Sequence, residues 1–250
     1  MKRYVLLFFC CTSTLTAAPR LNTLILGDPS ESLREITGTN CQKMAGMCKG
    51  VANLLNIRSF QLVMEGASNA PQAIDQWLGT IQKDDIALFY YSGFAARAPK
   101  AQSPWPVLVP GKDSETRRAF VYGKQIQAAI KKIAPRFALI LFDSSNKFVI
   151  PKSACEASES HPSTLPGLAT LFLHNKGVVT ASATAPEEVA TVIMGGETPG
   201  GIFTTLFWDS LEVASERSDV TWECVLQQTG QRVAEYTSGQ QNPVYKVDVE

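Results

Sequence analysis

Two short polar segments carry the residue types from which a hydrolytic site can be built: Ser92-Gly93-Phe94-Ala95 and Asp143-Ser144-Ser145-Asn146. Acyl transfer needs a nucleophile, a base that takes its proton, and a group that orients the base. Ser144 and Ser145 offer hydroxyls and Asp143 a carboxylate, so a base from one segment could serve a nucleophile on the other. The sequence has only two histidines, His161 and His174, and both follow the nucleophile position. Their plain reading is an exposed loop imidazole and an ordinary helix-end residue. A relay of Ser145, His174 and Asp143 is the alternative, and it demands a new geometry; Cys155 with His161 is weaker, because loops hold catalytic pairs poorly. There is no GxSxG elbow, phosphate loop or GxGxxG turn, and no CxxC pair or HExxH, so neither a cofactor nor a metal is expected.

The elements that must position these segments are legible around them. Each polar segment ends a continuous apolar run, Ile86 to Tyr91 and Phe137 to Phe142. Such runs are the mark of strands buried on both faces of a parallel sheet, where ligands gather beyond the carboxyl ends. Leu21–Leu26, Ser59–Met64 and Gly177–Ser182 read as further strands, and Val244–Val247 as an edge strand after Asn242-Pro243. Helical spacing joins Met44, Met47, Cys48, Val51, Leu54 and Leu55; then Ile74, Trp77, Leu78 and Ile81, capped by Ser68 or Asn69 with Pro71 in the first turn; then Ile126, Ile130 and Ile133. Further helices are expected over Leu168–His174, around Phe203–Leu211 and around Trp222–Val233, and a hairpin between Val107–Val109 and Ala119–Tyr122. Residues 147–166, rich in Ser, Pro, Lys and Glu, read as an exposed loop open to proteases.

In this order and spacing the chain resembles the caspase-like peptidases, the clan of caspases, paracaspases and metacaspases. In that family the third strand ends in Ser-Gly-His-Gly, whose histidine activates the nucleophile, and the fourth in Asp-X-Cys, whose cysteine attacks the peptide carbonyl. Here Tyr90-Tyr91-Ser92-Gly93 is kept, but Phe94 stands in the histidine's place and Ala95 in the following glycine's. Leu141-Phe142-Asp143 is kept, but Ser145 stands where the cysteine would. Lys83-Asp84-Asp85, Val178–Ser182 and Gly200-Gly201-Ile202-Phe203-Thr204 add to the likeness, which covers residues 21–247. The resemblance implies a caspase-haemoglobinase-like three-layer α/β/α sandwich with a mostly parallel sheet of about six strands. It also implies a degenerate dyad at Phe94 and Ser145, with Ser92, Gly93, Ala95, Asp143, Ser144 and Asn146 as cleft neighbours. Phe94 cannot accept a proton. It is either a core-filling side chain in an idle cleft or an apolar anchor in a groove that still binds an extended peptide. Arg97, Asp113, Arg117 and Arg118 could then select a charged side chain, although they read equally as solvated loop charges. Trp105, Tyr122 and Trp208 serve packing as readily as recognition.

The 250 residues, 45% hydrophobic and 18% charged, belong to an ordinary globular chain. Residues 1–18 read as a secretory signal: Lys2 and Arg3, an apolar run from Tyr4 to Cys11, then small residues to Ala17 and Ala18. Its removal leaves 21 of the 23 basic residues against 23 acidic ones, a net charge of −2. That balance offers no field to gather nucleic acid, and no segment reaches the length of a membrane span. The chain is therefore expected to be periplasmic or secreted, with residues 19–250 as one domain. Cys10 lacks the small-residue context of a lipid-modified cysteine. Four cysteines would remain, and Cys41 and Cys48, on one helix about 10 Å apart, are too far from each other to bridge; pairings with Cys155 or Cys224 stay open. The expected partner is a peptide or a protein. A homodimer through the Val244–Val247 edge is a further possibility that the sequence leaves open.

Overall fold

The computed structural model describes residues 18–28, 30, 32–65, 69–97, 102–110, 120–145, 166–193 and 199–250. The signal segment with Cys10, residues 146–165 with Cys155 and His161, and Asp113, Arg117, Arg118 and Asn146 lie outside the described residues.

The element order is β1 (Arg20–Gly27), α1 (Arg34–Leu54), β2 (Arg58–Glu65), α2 (Ala70–Thr80), β3 (Ile86–Gly93), β4 (Ala95–Ala96), β5 (Val107–Leu108), β6 (Val121–Tyr122), α3 (Gly123–Ile133), β7 (Phe137–Ser144), α4 (Gly167–Ala169) running into a π-helical turn (Thr170–His174), β8 (Gly177–Ser182), β9 (Val192–Ile193), β10 (Gly200–Gly201), α5 (Ile202–Ser215), α6 (Trp222–Tyr236) and β11 (Val244–Val249). Six strands form the main sheet in the order β11-β8-β7-β3-β1-β2. All its pairings are parallel except that of β11 with β8.

Alternation along the strands builds two cores. Ile86, Leu88 and Tyr90 of β3 and Phe137, Leu139 and Leu141 of β7 face α1, α5 and α6, where Met44, Phe207 and Val225 meet them. The intervening Phe89, Tyr91, Ile140 and Phe142 face α2 and α3, against Trp77, Ile126 and Ile130. A sheet covered on both faces leaves its central strands no polar side, hence their unbroken apolar runs. The fold is thus the expected three-layer α/β/α sandwich.

Local details differ from expectation. The helix expected over Leu168–His174 is α-helical only to Ala169 and π-helical beyond. The expected hairpin is the β5–β6 part of a three-stranded sheet that also takes in β4. Asn69 is the N-cap of α2, with Pro71 in the first turn, but its side chain makes no capping hydrogen bond. Among the described residues no helix is long and apolar enough to cross a membrane.

Candidate functional site

The two polar segments end neighbouring parallel strands in register. Ser92 lies opposite Asp143 and Gly93 opposite Ser144. The chain then brings Phe94 and Ser145 to the wall of one small cavity, of about 30 Å³, room for a water or two. Ser92, Gly93, Asp143 and Ser144 line it as well. Ala95 does not; it is buried in β4 beside Leu108.

Phe94 is fixed by its backbone. Its N–H donates to Asp28 Oδ2 at 3.0 Å, and its carbonyl accepts from the Tyr91 hydroxyl at 2.6 Å and from the Val109 N–H at 3.0 Å. The preceding Gly93 has φ +153°, and a Cβ there would lie 2.3 Å from Asp28 Cβ. Only glycine lets the chain pass so close to β1. The Phe94 ring packs on Leu33, Ile36 and Val192, an apolar cluster of its own. An imidazole would have offered a lone pair here; the phenyl ring closes the space instead.

Below the ring lies a buried polar network. Asn40 of α1 donates from Nδ2 to Ser92 Oγ at 2.9 Å and to Asp143 Oδ2 at 3.2 Å, and its Oδ1 accepts from the Gly201 N–H at 2.8 Å. Thr204 of α5 donates to Asp143 Oδ2 at 2.5 Å and shares a 2.6 Å hydrogen bond with the Tyr90 hydroxyl. One asparagine thus joins β3, β7 and β10. Burial pushes the Asp143 carboxyl up to about 6, against the opposing effect of the Thr204 and Tyr90 hydrogen bonds. Burial, with the Asp143 charge second, holds the Tyr90 phenol well above its usual range. Gly201 is required by closeness: a Cβ there would come 2.1 Å from Asp143 Oδ2.

Ser145 Oγ accepts a hydrogen bond from the Ala190 N–H at 3.0 Å. Ser144 is 1% exposed; its Oγ has no partner among the described residues, while its carbonyl accepts from Thr184 Oγ1 at 3.0 Å. Asp143 is the sole ionisable side chain among the described residues lining the cavity, and its Oδ2 is already taken by Thr204 and Asn40.

The relay of Ser145, His174 and Asp143 is overturned by the sheet. Gly177 pairs with Phe137 at the start of β7, and His174 precedes it, so His174 sits at the amino ends of the strands. Ser145 lies past the carboxyl end of that eight-residue strand, about 26 Å away at the usual strand rise. Among the described residues no thiol lines the cavity: Cys41 and Cys48 are buried in α1, where burial pushes Cys48 up to about 12, and Cys224 is exposed on α6. Arg97 does not line the cavity; it pairs with Glu187 at 3.3 Å. Trp105 packs in the α2/α3 core with its indole N–H on Gln127, and Trp208 packs against the other core. Tyr122 is a partly exposed β6 residue.

Asp28 and Asn40 were not foreseen as part of the site. Asp28 had a signal, since an Asp two residues before Ser30 suits an Asx turn, and Ser30 N–H does donate to Asp28 Oδ1 at 2.8 Å. Asn40 also had one, as the polar member of the buried stripe Ile36, Asn40, Met44, Met47.

No protein-family model matches the chain, and no curated protein matches it. Solved structures do. The chain is similar to caspase-1 from Spodoptera frugiperda at a TM-score of 0.55 and 11% identity, over 91% of this chain and 87% of that one. It is similar to protein GSU0716 from Geobacter sulfurreducens at a TM-score of 0.53 and 12% identity, over 91% and 92%. The fold is caspase-like.

Proposed function

We propose that this caspase-like chain is a pseudopeptidase, exported by its N-terminal signal, that engages a peptide or protein partner without cutting it. One observation carries the reading: Phe94 and Ser145, which stand where the resemblance puts histidine and cysteine, meet at one cavity whose described lining holds no histidine and, as its one ionisable side chain, Asp143, with Oδ2 already bonded to Thr204 and Asn40. A serine hydroxyl depends on an adjacent base far more than a cysteine thiol does. Losing nucleophile and base together removes on the order of 10⁶ in turnover. The cavity also falls far short of the roughly 300 Å³ at which small-molecule sites begin, so the partner is engaged over the outer surface of this region.

The test is to incubate the purified chain with peptide libraries bearing acidic and basic residues at the cleavage position. No turnover above background is expected. Turnover that vanishes in Ser145→Ala refutes the reading.

A further inference from the structure

At the pole opposite the cleft, around the amino ends of β3, β7 and β8, the surface holds a cavity of about 580 Å³, within the size range of small-molecule sites. Lys83 and Asp84 wall it ahead of β3, Lys131 and Arg136 at the passage from α3 to β7, and Lys176 and Glu250 where β8 and β11 meet. Three backbone irregularities converge there. α3 stops at Ala134, held left-handed at φ 53°. β8 begins at Gly177, at φ +123°, where a Cβ would run into the Asp248 carbonyl. The π-helical turn Thr170–His174 comes just before it. Such departures concentrate at functional sites. The walls are fixed: Lys176 and Glu250 exchange two backbone hydrogen bonds, of 3.2 and 2.9 Å, and Arg136 Nη1 donates to the Leu173 carbonyl of the π-helical turn at 2.9 Å.

The charges of this cavity divide into those already matched and those left open. Asp248, which also lines it, is bound by Lys131 at 2.6 Å and by Lys246 at 2.9 Å. Lys83 and Lys176 have no side-chain partner among the described residues, nor do the carboxylates of Asp84 and Glu250, and Arg136 keeps donors beyond the one that holds Leu173. We propose that this cavity binds a small phosphorylated polyol, of the class of the sugar phosphates. Arg136, Lys83 and Lys176 take the phosphate. A guanidinium fork matches two phosphate oxygens, and three open cations call for more than the single charge of a carboxylate. Asp84 and Glu250 select the rest of the ligand: they accept hydrogen bonds from its hydroxyls, whereas a bare polyanion would be repelled by them. The eight residues of β7 separate this cavity from the strand tips, so the inference stands apart from the function proposed above.

Isothermal titration calorimetry of the purified chain with glucose 6-phosphate tests the proposal, with glucose and pyrophosphate as comparison probes. Glucose 6-phosphate is expected to bind in low salt with a dissociation constant of about 1 mM or tighter, and each comparison probe at least about tenfold more weakly. Lys83→Gln and Lys176→Gln, at exposed positions that leave the core untouched, each weaken the binding by about tenfold. Lys124→Gln, at the opposite end of α3, leaves it unchanged. Absence of glucose 6-phosphate binding up to about 20 mM, an affinity that neither lysine variant moves, an equal loss in Lys124→Gln, or tighter binding of pyrophosphate or glucose overturns it.

Discussion

Asp143 is the residue on which the polar floor of the cleft turns, and its burial has a cost that depends on pH. Its folded value of about 6 lies above its ordinary value of 3.8. The folded state therefore binds this proton more tightly than the unfolded chain. The group's contribution to stability is fully present below about pH 4 and is lost as pH rises through about 6, a change on the order of 3 kcal/mol. Asp143→Asn removes the titration. The stability gap between Asp143→Asn and wild type should thus shift in the variant's favour by roughly that amount between pH 4 and pH 8, as urea denaturation at both pH values would read. A gap that stays constant would mean the carboxyl is not desolvated. Gly93 makes a steric prediction instead. Gly93→Ala forces a Cβ against Asp28 Cβ at 2.3 Å and should lower stability by more than about 2 kcal/mol, measured in the same way. At this scale the ends of the apolar runs pointed to Asp143 and Ser145, and the resemblance to the caspase-like peptidases singled out Phe94. For Asp28 and Asn40 the turn and the stripe position were legible but their place in the site was not, because periodicity reports which positions are buried and says nothing of which polar group waits opposite them.

Among the elements, α1 does more than cover the sheet. Asn40 replaces an apolar residue in its buried stripe and ties the tips of β3 and β7 to β10. Asn40→Ala leaves the Gly201 N–H without its acceptor and takes a donor from Asp143, a loss of about 2–4 kcal/mol by the usual cost of unpaired buried groups. Thermal denaturation should show it, and because Ser145 is held separately by the Ala190 N–H, the β7 tip should keep its place. A drop of less than about 0.5 kcal/mol would mean that water replaces the side chain. The long elements were legible because each carries its own signal: two-face burial makes β3 and β7 continuously apolar up to their polar tips, and one-face burial gives α1, α2 and α3 their stripes. β4, β9 and β10, two residues each, were not, since a strand so short has no period and exists only through a partner distant in sequence. The π-helical turn at Thr170–His174 escaped for a related reason: over a single turn its apolar spacing does not differ from that of an α-helix.

For the whole molecule, the strand order and the two-sided helical cover are those of a caspase-like fold, and the order of the motifs along the chain announced that architecture. What the chain does with it depends on the two strand tips. The sheet brings Phe94 and Ser145 to one cavity and keeps His174 at the opposite end, and among the described residues no histidine stands beside Ser145; the function proposed above follows from that placement. The most direct test is covalent. A fluorophosphonate probe modifies a serine only where a neighbouring group activates its hydroxyl, and mass spectrometry locates the adduct. The purified chain, treated with the probe at neutral pH, should carry no adduct at Ser145. A stoichiometric adduct at Ser145, absent after prior heat denaturation, would contradict the assignment of this cleft as catalytically silent.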